Sequence, residues 1–183
     1  MKIRLASPLQ MDSIVDGAGI RTVIWTQGCG HACKGCHNPE THDFNEGQLF
    51  EVAEIKKEID KLSNQDGITF SGGDPMYQPE ACNELAKYIQ EKGLNVWCYT
   101  GFTFEQLLEK SKNEPIYLEF LNNIDVLIDG PFILSKKSLN VMFRGSTNQR
   151  IIDVKKSLAS GKVEIISKYD NHNKVKEKEC IFI

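Results

Sequence analysis

The sequence predicts an α/β fold, a partial (βα) barrel open on one side. Two observations lead there. Short β-like runs alternate with amphipathic helical runs along most of the chain, the pattern of βα units around a parallel sheet. The 183 residues are also too few for a closed eight-unit barrel, which takes about 250. A doubly wound sheet is the alternative. At roughly 100–200 residues per domain, one domain is expected. It spans 1–183, with a long loop at 27–45 and a tail from about 168 that the pattern leaves undetermined.

Residues 20–26 are β-branched and aromatic, a strand. Residues 27–45 carry Gly28, Gly30, Gly35 and Pro39 and read as loop. A loop this long inside a compact domain is uncommon unless it is functional. From 48 to 62, Val52, Ile55, Ile59 and Leu62 recur at helical spacing. Residues 67–71 form a strand ended by Gly72-Gly73-Asp74-Pro75. Pro79 and Glu80 suit a helix first turn. Cys82, Leu85, Ala86 and Ile89 give that helix its apolar face, and Gly93 its C-terminal cap. Residues 94–100 are the next strand. Thr103 to Gln106 match a capping box, with Phe102 and Leu107 as a hydrophobic staple. Helical segments then fill 104–122, broken before Pro115. Residues 124–129 form a strand ended by Gly130-Pro131. Residues 151–154, 163–166 and 180–183 are further strand candidates.

The hydrophobic fraction of 40% and the charged fraction of 26% fit a globular protein. The formal charge of −3 gives no general attraction to nucleic acid. No apolar run exceeds four residues, against about 20 for a membrane helix. Residues 1–8 lack the hydrophobic core of a secretory signal. A reducing cytoplasm is the expected home.

Six cysteines would suit three disulfides, but their positions argue otherwise. Cys29, Cys33 and Cys36 form a tight group, whereas Cys82, Cys98 and Cys180 are scattered. A tight group in a reducing compartment reads as metal binding or catalysis. Thiolates are soft ligands for zinc, copper(I) or iron–sulfur clusters. Structural zinc needs a fourth ligand, which His31, His37 or His42 would supply, and Cys-x3-Cys lies within zinc spacing. An iron–sulfur cluster normally takes four cysteines. Three would leave one iron open to a substrate or cofactor. Inert buried cysteines are the bland reading, disfavoured in a loop rich in Gly, Pro and polar residues.

The wider motif set is more specific. Asp12-Ser13-Ile14-Val15-Asp16-Gly17-Ala18-Gly19-Ile20-Arg21-Thr22 precedes Cys29-x3-Cys33-x2-Cys36, and Cys36-His37-Asn38-Pro39-Glu40-Thr41 follows. Then come Ser71-Gly72-Gly73-Asp74-Pro75, Ile128-Asp129-Gly130-Pro131-Phe132 and Arg144-Gly145-Ser146-x-Asn148-Gln149-Arg150. Over about residues 10 to 155 this set resembles the activating proteins of anaerobic (class III) ribonucleoside-triphosphate reductase, in the radical S-adenosylmethionine superfamily.

The resemblance implies a radical S-adenosylmethionine type of partial barrel. It implies a [4Fe–4S] cluster on Cys29, Cys33 and Cys36, with S-adenosylmethionine chelated by the open iron. Reductive cleavage would yield methionine and a 5′-deoxyadenosyl radical, which removes a hydrogen from a glycine Cα of the large reductase subunit. Partners implied are that subunit and an electron donor such as flavodoxin, and a homodimer is admitted. Two alternatives remain open: another radical S-adenosylmethionine enzyme, whether a different glycyl-radical activase or a small-molecule modifier, and a zinc-stabilised binding module.

Several residues carry both a functional and a plainer reading. Gly72, Gly73 and Asp74 end a strand, where ligands bind in parallel α/β folds. The resemblance sets Gly73 against the cofactor amino group, with Asp74 nearby; an ordinary turn is the plainer reading. Gly35, Cys36 and His37 lie, by resemblance, on the adenine side, or His37 is an exposed loop histidine. Asp129 either faces the site or caps the turn before Pro131. Arg144 offers a planar donor fork to a carboxylate or ribose, or is a surface arginine. Trp97, Tyr99, Phe102 and Phe104 read as core or staple residues, and Cys82 and Cys98 as core.

Overall fold

The computed structural model describes residues 1–170. In chain order these form β1 (Lys2–Leu5), β2 (Gln10–Ser13), β3 (Arg21–Thr26), β4 (Gln48–Glu51), α1 (Val52–Ile59), β5 (Gly67–Gly72), α2 (Pro79–Glu91), β6 (Asn95–Tyr99), α3 (Phe104–Ser111), α4 (Ile116–Asn122), β7 (Val126–Asp129), β8 (Arg150–Asp153) and α5 (Val154–Ser160). The strand candidate at 180–183 lies outside the described residues, as does Cys180.

The strands make one sheet in the order β4-β1-β3-β5-β6-β7-β8, with β2 paired to β3 off that path. β3, β5, β6 and β7 run parallel, as the βα alternation predicts. Antiparallel pairs flank them, β4 with β1 and β1 with β3 on one side, β7 with β8 on the other. The path runs from β4 to β8 without closing on itself. The fold is mixed α/β. Among the described residues no helix is long and apolar enough to cross a membrane.

Two local expectations change. Residues 48–51 are not the first turn of a helix. They pair with β1 from Lys2↔Glu51 to Leu5↔Gln48, and the helix starts only at Val52. Glu51 caps it in a reciprocal box with Glu54. The apolar stripe survives this, with Val52, Ile55 and Ile59 buried. Residues 163–166 form no strand; Ile165 makes one isolated antiparallel bridge to Ile152. The Thr103–Gln106 capping box forms as expected, and the helical run breaks ahead of Ile116.

Side chains alternate across the sheet. Ile24, Ile68, Phe70, Val96, Cys98 and Leu127 point into the main core, where Val52 and Ile55 of α1, Leu85 and Ile89 of α2, Leu107 of α3 and Phe120 of α4 meet them. The opposite face is different. There Trp97 and Ile128 pack with Ile151 and Tyr169 in a smaller cluster. Arg21 lies fully buried, its Nε donating to Thr69 Oγ1 at 2.6 Å and its guanidinium 5.1 Å from the Trp97 ring centre. Burial pushes this guanidinium down to about 10. Thr69 in turn donates to the Asp16 carbonyl at 2.7 Å, tying the 14–20 loop to the sheet. With the helices on one face, the other is left for a site.

A charged staple joins α3 to β7 and β8. Arg150 grips Glu105 through two bonds of 2.9 and 2.7 Å and also donates to both oxygens of buried Asp129. The Arg150 hydrogen bonds hold the Glu105 carboxyl down to about 2, against about 4.3 for a free glutamate. A depressed carboxylate stabilises the fold above its unfolded pKa and loses that contribution as pH falls through the folded one. The melting temperatures of wild type and Glu105→Gln are therefore expected to differ at pH 6. The gap should close between about pH 4.3 and about pH 2. A constant gap, in thermal melts across that range, would remove Arg150–Glu105 as the cause.

Candidate metal centre and cleft

The three grouped cysteines sit on the loop leaving β3. Its base is closed by Gly28 N–H donating to the Thr41 carbonyl at 2.8 Å and Cys29 N–H to the His42 carbonyl at 3.0 Å. Buried Gln27 adds side-chain bonds to the Glu40 and Asp43 carbonyls, at 3.1 and 2.7 Å. A turn within the loop sets Cys36 N–H on the Cys33 carbonyl at 3.1 Å. Cys29, Cys33 and Cys36 are each half-buried. Burial pushes the Cys29 thiol up to about 11 and raises that of Cys33. Without a metal the Cys29 and Cys33 sulfurs hold their protons at neutral pH, so metal binding must release them.

The donor set, three thiols on one loop, suits an iron–sulfur cluster. Cys82 and Cys98 are fully buried in the core, where burial drives both thiols far above the ordinary range. His31, one candidate fourth zinc ligand, turns its Nε2 to Asp74 at 2.7 Å. A [4Fe–4S] cluster takes each thiolate on a different iron.

A cleft of about 370 Å³ lies beside this loop, within the range for small-molecule sites. Its floor is the helix-free face of the sheet, with Trp25, Ser71 and Tyr99. Cys36 and His37 enter from the loop, Gly72 and Gly73 from the end of β5, and Phe143 and Arg144 from the far wall. A larger hollow of about 790 Å³ lies by β2 and α1, lined by Leu9, Phe50 and Leu62 among others. It offers no thiol or imidazole, so the chemistry points to the smaller cleft.

Five of the residues singled out as cofactor-binding thus come together: Cys36, His37, Gly72, Gly73 and Arg144. Three do not line the cleft. Gly35 lies in the loop just before Cys36, backed by Leu134. Asp74 is 1% exposed, and its carboxylate is used by Met76 N–H, Gly101 N–H, Thr100 and His31. Asp129 accepts from Phe104 N–H at 2.8 Å and from Arg150, so its carboxylate serves the start of α3. Buried carboxylates need donors, and for both aspartates the fold supplies them.

Arg144 is not a surface arginine. Its side chain is 3% exposed and paired with Asp170 at 3.3 Å, with a bond to the Gln149 carbonyl at 3.1 Å. Its buried Nε has no hydrogen-bond partner among the described residues. The neighbouring motif residues build the wall: Asn148 donates to the Pro131 carbonyl at 2.8 Å, and Gln149 accepts from Gly145 and Ser146 N–H. The Phe132 ring meets His37, their centres 5.0 Å apart. Arg21, Ser71 and Arg150 stand in the motif set, yet the sequence assigns them no role of their own. A charge inside a β-branched run was the available signal for Arg21. The parts played by Ser71 and Arg150 follow only from the pairing of strands.

Comparison with known proteins adds an independent line. The family model for a 4Fe-4S single cluster domain matches residues 15–152. The anaerobic ribonucleoside-triphosphate reductase-activating protein of Enterobacteria phage T4 is 34% identical over 145 residues, covering 75% of this chain and 86% of the phage protein. The proteins of that name from Haemophilus influenzae and Escherichia coli (strain K12) are 33% and 32% identical, each with 90% of its length covered. A crystal structure of QueE from Escherichia coli aligns over 56% of this chain and 54% of its own, at 14% identity and a TM-score of 0.45, too distant to argue from.

Proposed function

The chain belongs to the family of anaerobic ribonucleoside-triphosphate reductase-activating proteins, and from that premise we propose that it is a radical S-adenosylmethionine activase for such a reductase. One observation carries the reading: three thiols share one loop, with no fourth cysteine at hand among the described residues, and one of them, Cys36, lines a cleft that the Gly72-Gly73 end of β5 lines as well. Cys29, Cys33 and Cys36 hold a [4Fe–4S] cluster. When bound and reduced, the cluster supplies the electron that splits S-adenosylmethionine into methionine and the 5′-deoxyadenosyl radical that takes hydrogen from a glycine Cα of the reductase.

The chain's own residues bind and orient. Gly72 and Gly73 offer backbone polar groups with no side chain in the way, facing the cofactor's amino group. Gly35 and His37 pass along its adenine side. Arg144 lends positive charge to the wall beside its carboxylate or ribose, with its terminal nitrogens held by the Gln149 carbonyl and Asp170. Asp74 and Asp129 act at one remove, by holding the loop and α3. The open sheet is read as a partial barrel whose uncovered side admits a loop of the large reductase subunit. A cytoplasmic setting, a flavodoxin-like electron donor and a homodimer complete the reading.

Anaerobic reconstitution with iron and sulfide is expected to give a brown protein that cleaves S-adenosylmethionine under strong reduction. Mixed with an anaerobic reductase, it should raise a glycyl radical signal in electron paramagnetic resonance. Cleavage without that signal points to another radical substrate. A colourless protein with one zinc per chain overturns the reading.

A further inference from the structure

Four donors converge on the buried carboxylate of Asp74. Oδ1 accepts from Met76 N–H at 2.9 Å; Oδ2 accepts from Gly101 N–H and the Thr100 hydroxyl, both at 2.9 Å, and meets His31 Nε2 at 2.7 Å. Three of these donors belong to strand ends and their turns. The fourth comes from the metal-binding loop, midway between Cys29 and Cys33. The His31 ring is seated edge-on against Phe102, centres 4.5 Å apart, and near Tyr77 at 5.8 Å. The seat is tight: a Cβ on Gly101 would come within 2.4 Å of the imidazole. His31 lines no part of the cleft.

We infer that His31 is a positioning residue, a plug that latches the cysteine loop to the ends of β5 and β6 before any metal arrives. The inference rests on the cluster reading above. A rigid cluster needs its three sulfurs at fixed separations. Ordering loop residues costs conformational entropy, and a loop ordered in advance binds more tightly. The base of the loop is tied by Gln27, Gly28 and Cys29. The His31–Asp74 contact ties its middle, from a carboxylate that the fold itself holds still. The same carboxylate sits one residue after Gly73, so the latch fixes the loop relative to the cofactor strand.

The test compares wild type, His31→Ala and His31→Asn, all full-length and handled without oxygen. In metal-free protein, His31→Ala should speed hydrogen exchange of amides 29–37 about tenfold while β5 and β6 amides are unchanged. After reconstitution it should lose iron to a chelator about tenfold faster, the scale seen when outer-shell partners of a metal site are removed. The KM for S-adenosylmethionine should rise more than kcat falls. His31→Asn keeps an N–H for Asp74 and should recover much of the iron retention. Unchanged loop exchange and iron retention in His31→Ala overturn the latch. So does a His31→Asn variant as leaky as His31→Ala. A wild type that takes up no cluster defeats the functional reading instead, and the latch then loses its purpose even if exchange shows the tie.

Discussion

Replacing Cys33 by alanine is expected to abolish cluster binding and S-adenosylmethionine cleavage while leaving the fold standing. Cys33 is half-buried, on a loop, and outside both apolar clusters. Truncating such a side chain costs within about 0.5 kcal/mol when no named packing or polar role is lost. The chemistry depends on it entirely, because one iron loses its protein ligand. Iron per chain, 5′-deoxyadenosine formed and a thermal melt of metal-free protein measure the three parts. Cleavage should fall at least about a thousandfold, the scale of losing a member of a catalytic unit. A zinc-stabilised module behaves in the opposite way. There metal binding is folding energy, so Cys33→Ala would unfold the loop or the domain. A variant that keeps its iron, or one that melts early with loss of zinc, would overturn the assignment of this thiol.

The same contrast explains which parts were legible beforehand. Elements built on local signals were readable: the stripe of Val52, Ile55 and Ile59, the Thr103 capping box, the break before Pro115, and the β-branched run of β3. β4 was not, because Gln48–Glu51 carries no strand signal of its own and becomes a strand only by pairing with Lys2–Leu5. The cysteine spacing pointed to a metal site because ligand chemistry is written in residue type. Roles set by long-range partners were hidden. Asp74 and Asp129 sit at strand mouths, as their place in the pattern implies, yet their carboxylates turn inward. Apart from Met76 N–H on Asp74, their donors come from residues 21 to 43 positions away: Gly101, Thr100 and His31 for one, Phe104 and Arg150 for the other. Arg144 shows the reverse. Its polar neighbours suggested a surface turn, and only the packing of 130–131 against 144–149 makes it a wall of the cleft.

Gly73→Ala is the second change with a large expected effect, and its reason is space rather than backbone freedom. A Cβ at Gly73 would lie 2.4 Å from the Gly28 carbonyl oxygen and 2.9 Å from the Gly28 carbon and nitrogen. Those are backbone atoms, and both chains are pinned there: Gly73 N–H donates to the Thr26 carbonyl at 2.7 Å and Asp74 N–H to the Gly28 carbonyl at 3.0 Å. Relief must push the loop off the end of β5, and the next residue of that loop is Cys29. Overpacking costs about 1–3 kcal/mol, and the lost Asp74–Gly28 bond adds about 1–3 kcal/mol if its groups stay unpaired. Together, at about 2–6 kcal/mol, these predict a melting temperature lower by about 4–24 °C for a chain of this size. Because the displaced residues adjoin both Cys29 and the cofactor strand, cleavage should fall about a hundredfold or more in the folded protein at low temperature. Gly93→Ala is the control. Gly93 has a φ of +77° and nothing within 4 Å of its absent Cβ. There alanine meets only left-handed backbone strain, about 1–2 kcal/mol, and cleavage should not change. If Gly73→Ala loses stability no more than Gly93→Ala and keeps full cleavage, the close approach of the two chains does not position the site.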